Sequence, residues 1–272
     1  MQNDEPLQAP KSIRARFTLD DLECCLIETA DGSDSLLYRT IGATEWTEPM
    51  HSSKGAWSET LFVYEPALRE SLGQIKNDET WCVASIGLGL GYNELICAAL
   101  AIKANLPSRQ LKLTSFESQM AFRNSFVEVF GHHHSQNLPQ PLLNAYERAT
   151  ALICDFVGIS NKNFRTYVSE LLTHNSLELH GAFKGVNIFP GTHFNNLPNC
   201  VLFDAFSPES SPDLWTPDIL MQLVDSLCGK SCIFASYASR TVLKKILKER
   251  GFTLEKSPGF AGKRERTYAR RL

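Results

Sequence analysis

Three stretches of the 272-residue chain carry residue types able to do chemistry. The first is Gly87-Leu88-Gly89-Leu90-Gly91. Glycines at such spacing let the main chain close on a ligand, and a helix beginning behind them offers free N–H groups. The spacing is GxGxG. A dinucleotide fingerprint needs GxGxxG, and a phosphate loop needs a following Gly-Lys-Ser/Thr, so the motif points to a nucleoside ligand without a pyrophosphate, S-adenosylmethionine. The second is Glu117, at the end of the next apolar strand, where an acid can accept both ribose hydroxyls. The third is Asp204, which follows Cys200-Val201-Leu202-Phe203 and precedes Ala205-Phe206-Ser207-Pro208. A half-buried carboxylate there can align an amine nucleophile or take its proton. The plainer alternatives are a tight turn for the glycines, a solvated strand end for Glu117 and a turn cap for Asp204. His132-His133-His134 is read as a loop, because adjacent side chains do not converge on a metal, and no metal is expected.

These residues need a scaffold, and the sequence supplies its pattern. Trp81–Ile86 reads as an apolar strand, the glycine loop follows, Asn93–Leu100 reads as a helix, and Leu111–Phe116 as the next strand. That is a βαβ unit, which implies a parallel sheet of α/β class. Further on, helices are expected at 59–72 with a break near Pro66, at 118–130, through most of 139–172, at 212–227 and from Val242 to a Gly251 cap. Strands are expected at Leu177–His180, 200–203 and 231–236, with 253–256 and 266–270 closing as an antiparallel hairpin. Before the βαβ unit, Cys25–Thr29 and Leu36–Arg39 flank Asp31-Gly32, a hairpin signal. The expected division is a disordered tail over 1–12, a β-hairpin extension over 13–60 and one Rossmann-like domain over 61–272, without repeats.

Composition narrows the class. The chain is 43% hydrophobic and 21% charged, which excludes global disorder. It holds no apolar run long enough to span a membrane, and its first residues lack a signal-peptide core, so a cytoplasmic protein is expected. The eight cysteines form no CxxC pair and are read as small core residues. Net charge is −3, yet residues 239–272 hold eleven Lys/Arg against three Glu. That concentration points to a polyanion such as nucleic acid.

Longer blocks carry a resemblance. Thr29-Ala30-Asp31-Gly32-Ser33, His51-Ser52-Ser53-Lys54-Gly55-Ala56-Trp57-Ser58-Glu59-Thr60, the glycine loop with Asn93, Ser115-Phe116-Glu117, Asp204-Ala205-Phe206-Ser207-Pro208 with Pro212-Asp213-Leu214-Trp215-Thr216, and Gly259-Phe260-Ala261-Gly262-Lys263-Arg264-Glu265 occur in this order. In these blocks the chain resembles the methyltransferase half of the MnmC-type tRNA wobble-uridine enzymes. The resemblance implies a Rossmann-like class I S-adenosylmethionine-dependent methyltransferase with a small N-terminal β-extension. It implies N-methylation of the 5-aminomethyl group on the wobble uridine, giving 5-methylaminomethyl-2-thiouridine. It implies Asp204 at the reacting centre and Gly87, Gly89, Gly91, Asn93, Glu117 and Glu59 around the cofactor. Lys244, Lys245, Lys263 and Arg264 are expected to contact tRNA. The FAD-dependent oxidase half of fused members is not expected in this chain, so a separate oxidase or another wobble-modifying enzyme would supply the aminomethyl group.

The chain also departs from that pattern. Ser85 stands where many members have an acid, Ala182 where an aspartate contacts adenine, and Lys244-Lys245 where two arginines are usual. Two other readings follow: a methyltransferase acting on another RNA or a small amine, and a non-catalytic tRNA-binding relative that has lost the cofactor.

Overall fold

The computed structural model describes residues 12–76, 79–131, 137–184, 197–262 and 264–272. The expected tail (1–12) lies almost wholly outside them, as do His132–His134 and Lys263. Among the described residues ten strands form two sheets, accompanied by eight α-helices. The small one is antiparallel in the order β1 (Ile13–Leu19), β2 (Leu22–Glu28), β3 (Asp34–Thr40). The hairpin read from Asp31-Gly32 is β2–β3, and Gly32 takes the positive φ (80°) that the turn needs. Strand β1 extends the expected hairpin to three strands. Its alternation of polar and apolar residues, Arg14-Ala15-Arg16-Phe17, is that of a half-buried edge.

The large sheet has seven strands in the order β6-β5-β4-β7-β8-β10-β9. These are β4 (Trp81–Ile86), β5 (Leu111–Phe116), β6 (Leu177–His180), β7 (Cys200–Phe203), β8 (Cys232–Ser236), β9 (Thr253–Ser257) and β10 (Arg266–Arg271). Strands β4 to β8 run parallel, and only β10 opposes its neighbours β8 and β9. This is the expected Rossmann-like α/β architecture. Strand β4 is buried throughout because helices cover both faces. Trp81 and Val83 enter the core packed by the earlier helices, while Ala84 and Ile86 enter the one under the late helices.

Local sequence sets the helix ends. The expected helix at 59–72 is two, α1 (Ala56–Val63) and α2 (Glu65–Gly73), parting at Tyr64 because Pro66 suits only a helix's first turn. Helix α3 (Tyr92–Lys103) leaves the glycine loop, and α4 is Met120–Phe130. The stretch 139–172 divides at Gly158 into α5 (Gln140–Val157) and α6 (Asn161–Thr173), the latter capped by the Ser160 hydroxyl on the Asn163 N–H at 3.2 Å. The expected helix 212–227 is a short 3-10 turn over Pro212–Trp215 and then α7 (Pro217–Leu227), restarted by Thr216 and Pro217. Helix α8 is Thr241–Glu249. All eight cysteines are free and buried, as expected of core residues.

Candidate active site

Parallel register brings the three sequence candidates together. Ile86 of β4 stands opposite Phe116 of β5 and Phe203 of β7. The next residue of each strand is Gly87, Glu117 and Asp204, so all three emerge side by side at the carboxyl edge of the sheet. Such an edge is where open α/β sheets bind ligands. The ladder continues into the loops: the Gly87 N–H donates to Phe116 O at 2.9 Å, and the Asp204 N–H to Ile86 O at 2.9 Å.

A cavity of about 500 Å³ opens at this edge. Its walls include Gly87, Gly89, Asn93, Glu117, Asp204 and, from the segment after β3, Met50 and His51. Gly87, Gly89 and Gly91 all have positive φ (97°, 50° and 77°). The glycines are not equivalent. A Cβ at Gly87 would lie 2.5 Å from the Asp204 carbonyl oxygen, and one at Gly91 2.5 Å from the Phe126 ring. Those two allow the loop to pack. At Gly89 a Cβ would meet only the end of the Met50 side chain, 2.9 Å away, at the cavity wall. The Glu117 carboxylate accepts from the Gly89 N–H at 3.1 Å and the Gln119 N–H at 2.9 Å. Burial pushes its carboxyl up, opposed by these donors.

Asp204 is held by both oxygens. The Tyr64 hydroxyl donates to Oδ1 at 2.6 Å and the Asn93 amide to Oδ2 at 2.9 Å. The Tyr237 N–H donates to the Tyr64 oxygen at 3.3 Å, so the phenol proton is left for Asp204. Burial raises the Asp204 carboxyl above the usual range, with His51, Tyr64 and Asn93 pulling the other way and Glu59 adding to the rise. Asn93 is 3% exposed, and its carbonyl oxygen has no hydrogen-bond partner among the described residues. A buried acceptor with no donor at a cavity wall suits a ligand that brings one. This donor set, with the cradle a side chain at Gly89 would intrude on, fits S-adenosylmethionine: main-chain N–H groups and Glu117 for its polar groups, and apolar Phe116, Phe183 and Ile86 for its base.

Other expected site residues sit elsewhere. Glu59 is buried on α1 and does not line the cavity; its carboxylate accepts from the Ser52 N–H at 2.8 Å and lies 3.9 Å from His51 Nδ1. It reaches the cavity through His51. Lys244 is only half exposed and pairs with Glu265 at 2.6 Å, while Lys245 is 74% exposed and lies 3.9 Å from Glu249. The two lysines therefore serve different surfaces. Lys244 and Arg264 line a second depression, beside the loop that follows Asp204. Among the described residues no group of His, Cys, Asp and Glu is placed to hold a metal.

Sequence reasoning missed Tyr64, Met50 and His51. Tyr64 stands at the helix break, and only the packing of α2 against β7 and β8 turns its hydroxyl to Asp204. The Asp31-Gly32-Ser33 and Gly55–Ser58 motifs have a structural explanation. Asp31 accepts from the Ser58 N–H at 2.8 Å and its hydroxyl at 2.7 Å, capping α1 from another element. Its carboxyl is held at about 2 against the opposing effect of burial by hydrogen bonds from Ser33, Ser58 and Thr29. A Cβ at Gly55 would come within 2.4 Å of that carboxylate.

Comparisons with known proteins agree with this geometry. Residues 165–271 match the family model described as S-adenosyl-L-methionine-dependent methyltransferase. The chain is similar to the tRNA 5-methylaminomethyl-2-thiouridine biosynthesis bifunctional protein MnmC of Hydrogenovibrio crunogenus, 22% identical over 77% of this chain and 29% of that protein. It is 26% identical to that of Burkholderia thailandensis, over 85% of this chain and 34% of that protein. It thus spans about a third of the length of these relatives. The crystal structure of MNMC2 from Aquifex aeolicus superposes with a TM-score of 0.56 at 24% identity, covering 90% of this chain and 69% of that one. The chain is therefore an S-adenosylmethionine-dependent methyltransferase with the Rossmann-like fold, related to the methyltransferase part of the MnmC proteins.

Proposed function

We propose that the chain N-methylates the 5-aminomethyl group on the wobble uridine of tRNA. The observation that carries this reading is Asp204, a carboxylate with two fixed donors at the edge of the cofactor cavity. The relatives' names supply the substrate class. The cofactor, bound against Gly89 and Glu117, supplies a methyl group already activated on a sulfonium. What the protein must add is a neutral amine, correctly aimed, in a site from which water is excluded. Tyr64 and Asn93 fix the carboxylate plane of Asp204, so its free lone pairs can accept an N–H of the amine. A carboxyl raised by burial is a better proton acceptor than an exposed one, and Asp204 takes the proton that the methylated amine releases. Phe206, anchored by the Trp215 indole N–H on its carbonyl at 2.7 Å, supplies an apolar side to the site.

The test is methyl transfer to an anticodon stem-loop RNA carrying 5-aminomethyluridine, read by nucleoside mass spectrometry. Asp204→Asn should slow transfer by roughly a hundredfold or more, the scale of general acid–base catalysis, with cofactor affinity changed only a few-fold. Full turnover by that variant would make Asp204 structural. No transfer by the unmutated protein would sink the proposal.

A further inference from the structure

The second depression, with a volume of about 580 Å³, shares a wall with the site just described. Ser207 and Pro208, on its rim, continue directly from Asp204-Ala205-Phe206. Tyr237 divides the two: its side chain lines the depression, its hydroxyl donates to Ala205 O at 3.0 Å, and its N–H donates to the Tyr64 oxygen that serves Asp204. Anything held here is therefore one side chain away from the reacting carboxylate.

We propose that this depression is a phosphodiester subsite, holding a backbone phosphate next to the nucleotide whose amine faces Asp204; this rests on the RNA reading above. Three cations face it, Arg240, Lys244 and Arg264, and they come from two separate segments. The hydroxyls of Ser239 and Thr241 lie between them. Helix α8 starts at the same place, with Arg240 at its N-cap and no side chain capping its first amides, so the helix adds donors and positive potential. The volume exceeds what a lone ion fills and admits a phosphate with its sugar. Two carboxylates now partner the cations: Glu209 on Arg240 at 3.3 Å, and Glu265 on Lys244 at 2.6 Å. Both pairs reach solvent, where ion pairs contribute little, so a phosphate can take the carboxylates' place. Arg264 has a planar guanidinium suited to two phosphate oxygens at once. A divalent cation would be repelled by this set, and the cofactor's polar groups already have Gly89 and Glu117.

The experiment is equilibrium binding of a fluorescent anticodon stem-loop RNA to the full chain, over a range of salt concentrations. The Lys244→Gln/Arg264→Gln variant should bind about tenfold more weakly. Its salt slope should fall by about one unit rather than two, because both cations address a single phosphate. Lys245→Gln, outside the depression, should stay within twofold. Stem-loops with one uncharged methylphosphonate linkage, 5′ or 3′ of the wobble uridine, locate the phosphate: one of them should weaken the unmutated protein about tenfold and the double variant no further. An unchanged affinity and slope in the double variant would overturn the subsite. So would a loss at Lys245→Gln equal to that of the pair, which would mean a diffuse basic face. So would a deficit that persists with both neutral linkages. Methyl transfer to free 5-aminomethyluridine, which has no phosphate, reports on the methyltransferase reading alone.

Discussion

At the scale of single residues, the glycine loop separates packing from ligand binding. Gly87→Ala puts a methyl group 2.5 Å from a carbonyl oxygen of the neighbouring strand's exit, at φ 97°. Neither partner can swing away, and overpacking with backbone strain should cost about 3 kcal/mol. Gly89→Val meets only the flexible Met50 side chain, but at φ 50° a β-branched residue carries about 1–3 kcal/mol of backbone strain, so the fold should survive with a lower midpoint while the cavity wall fills. The expected result is a lowered urea midpoint for both variants, more so for Gly87→Ala, with a folded Gly89→Val that has lost S-adenosylmethionine binding by calorimetry. The opposite pattern would mean that Gly89 is only a turn residue. The sequence identified the loop, Glu117 and Asp204, since strand-end position can be read from an apolar run and its terminating residue. It did not identify Tyr64 or His51 as site residues, because neither has a distinctive spacing; Tyr64 meets Asp204 across 140 residues of chain, and His51 is set at the cavity by Ser35 and Tyr92.

At the scale of elements, the first turn of α3 explains how the chain accommodates Ser85. Glu94 is 1% exposed beneath the glycine loop and accepts from the Ser115 hydroxyl at 2.6 Å, with Ser85 also fully buried beside that layer. Its second oxygen has no hydrogen-bond partner among the described residues. Burial pushes the Glu94 carboxyl from 4.5 up to about 7, with Ser115 and Ser85 opposing the rise. The folded state thus keeps a proton that the unfolded chain releases between about pH 4.5 and 7. Stability should fall as pH rises through that window, by about 3 kcal/mol in all, and level off above it. Glu94→Gln should remove the fall and leave the variant more stable than the unmutated protein at pH 8. Parallel pH–stability curves for the two proteins would show that Glu94 is ionised in the fold. Element identity was largely legible, because glycine, proline and apolar period act locally. The break at Tyr64 was legible from Pro66; the one at Thr216 was less so, since it depends on which of two neighbouring helical turns the core accepts.

At the scale of the whole molecule, the small sheet is part of the site's architecture. Asp34, fully buried at the start of β3, pairs with Arg14 at 3.1 Å and with Arg148 of α5 at 2.7 Å. Tyr92, at the start of α3, donates to Asp34 O at 3.1 Å. Glu48, further along, accepts from the Ser207 N–H in the loop after Asp204. These contacts hold Met50 and His51 against the cavity. Asp34→Asn would leave two arginines facing a neutral amide, a loss of about 3 kcal/mol. Its melting temperature should drop by several degrees, and cofactor affinity should weaken with it. A variant that melts like the unmutated protein would mean that the sheet docks by apolar packing alone. The amino-acid sequence determined the α/β class, the glycine loop and the two carboxylates, because those rest on local period and on what a parallel strand must do at its end. The tertiary structure decided the strand order, with β10 inserted between β8 and β9. It decided the docking of the small sheet, the hold of Tyr64 and Asn93 on Asp204, and the separation of Lys244 from its neighbour Lys245. Each of these depends on which distant surfaces bury one another, and sequence spacing does not encode that.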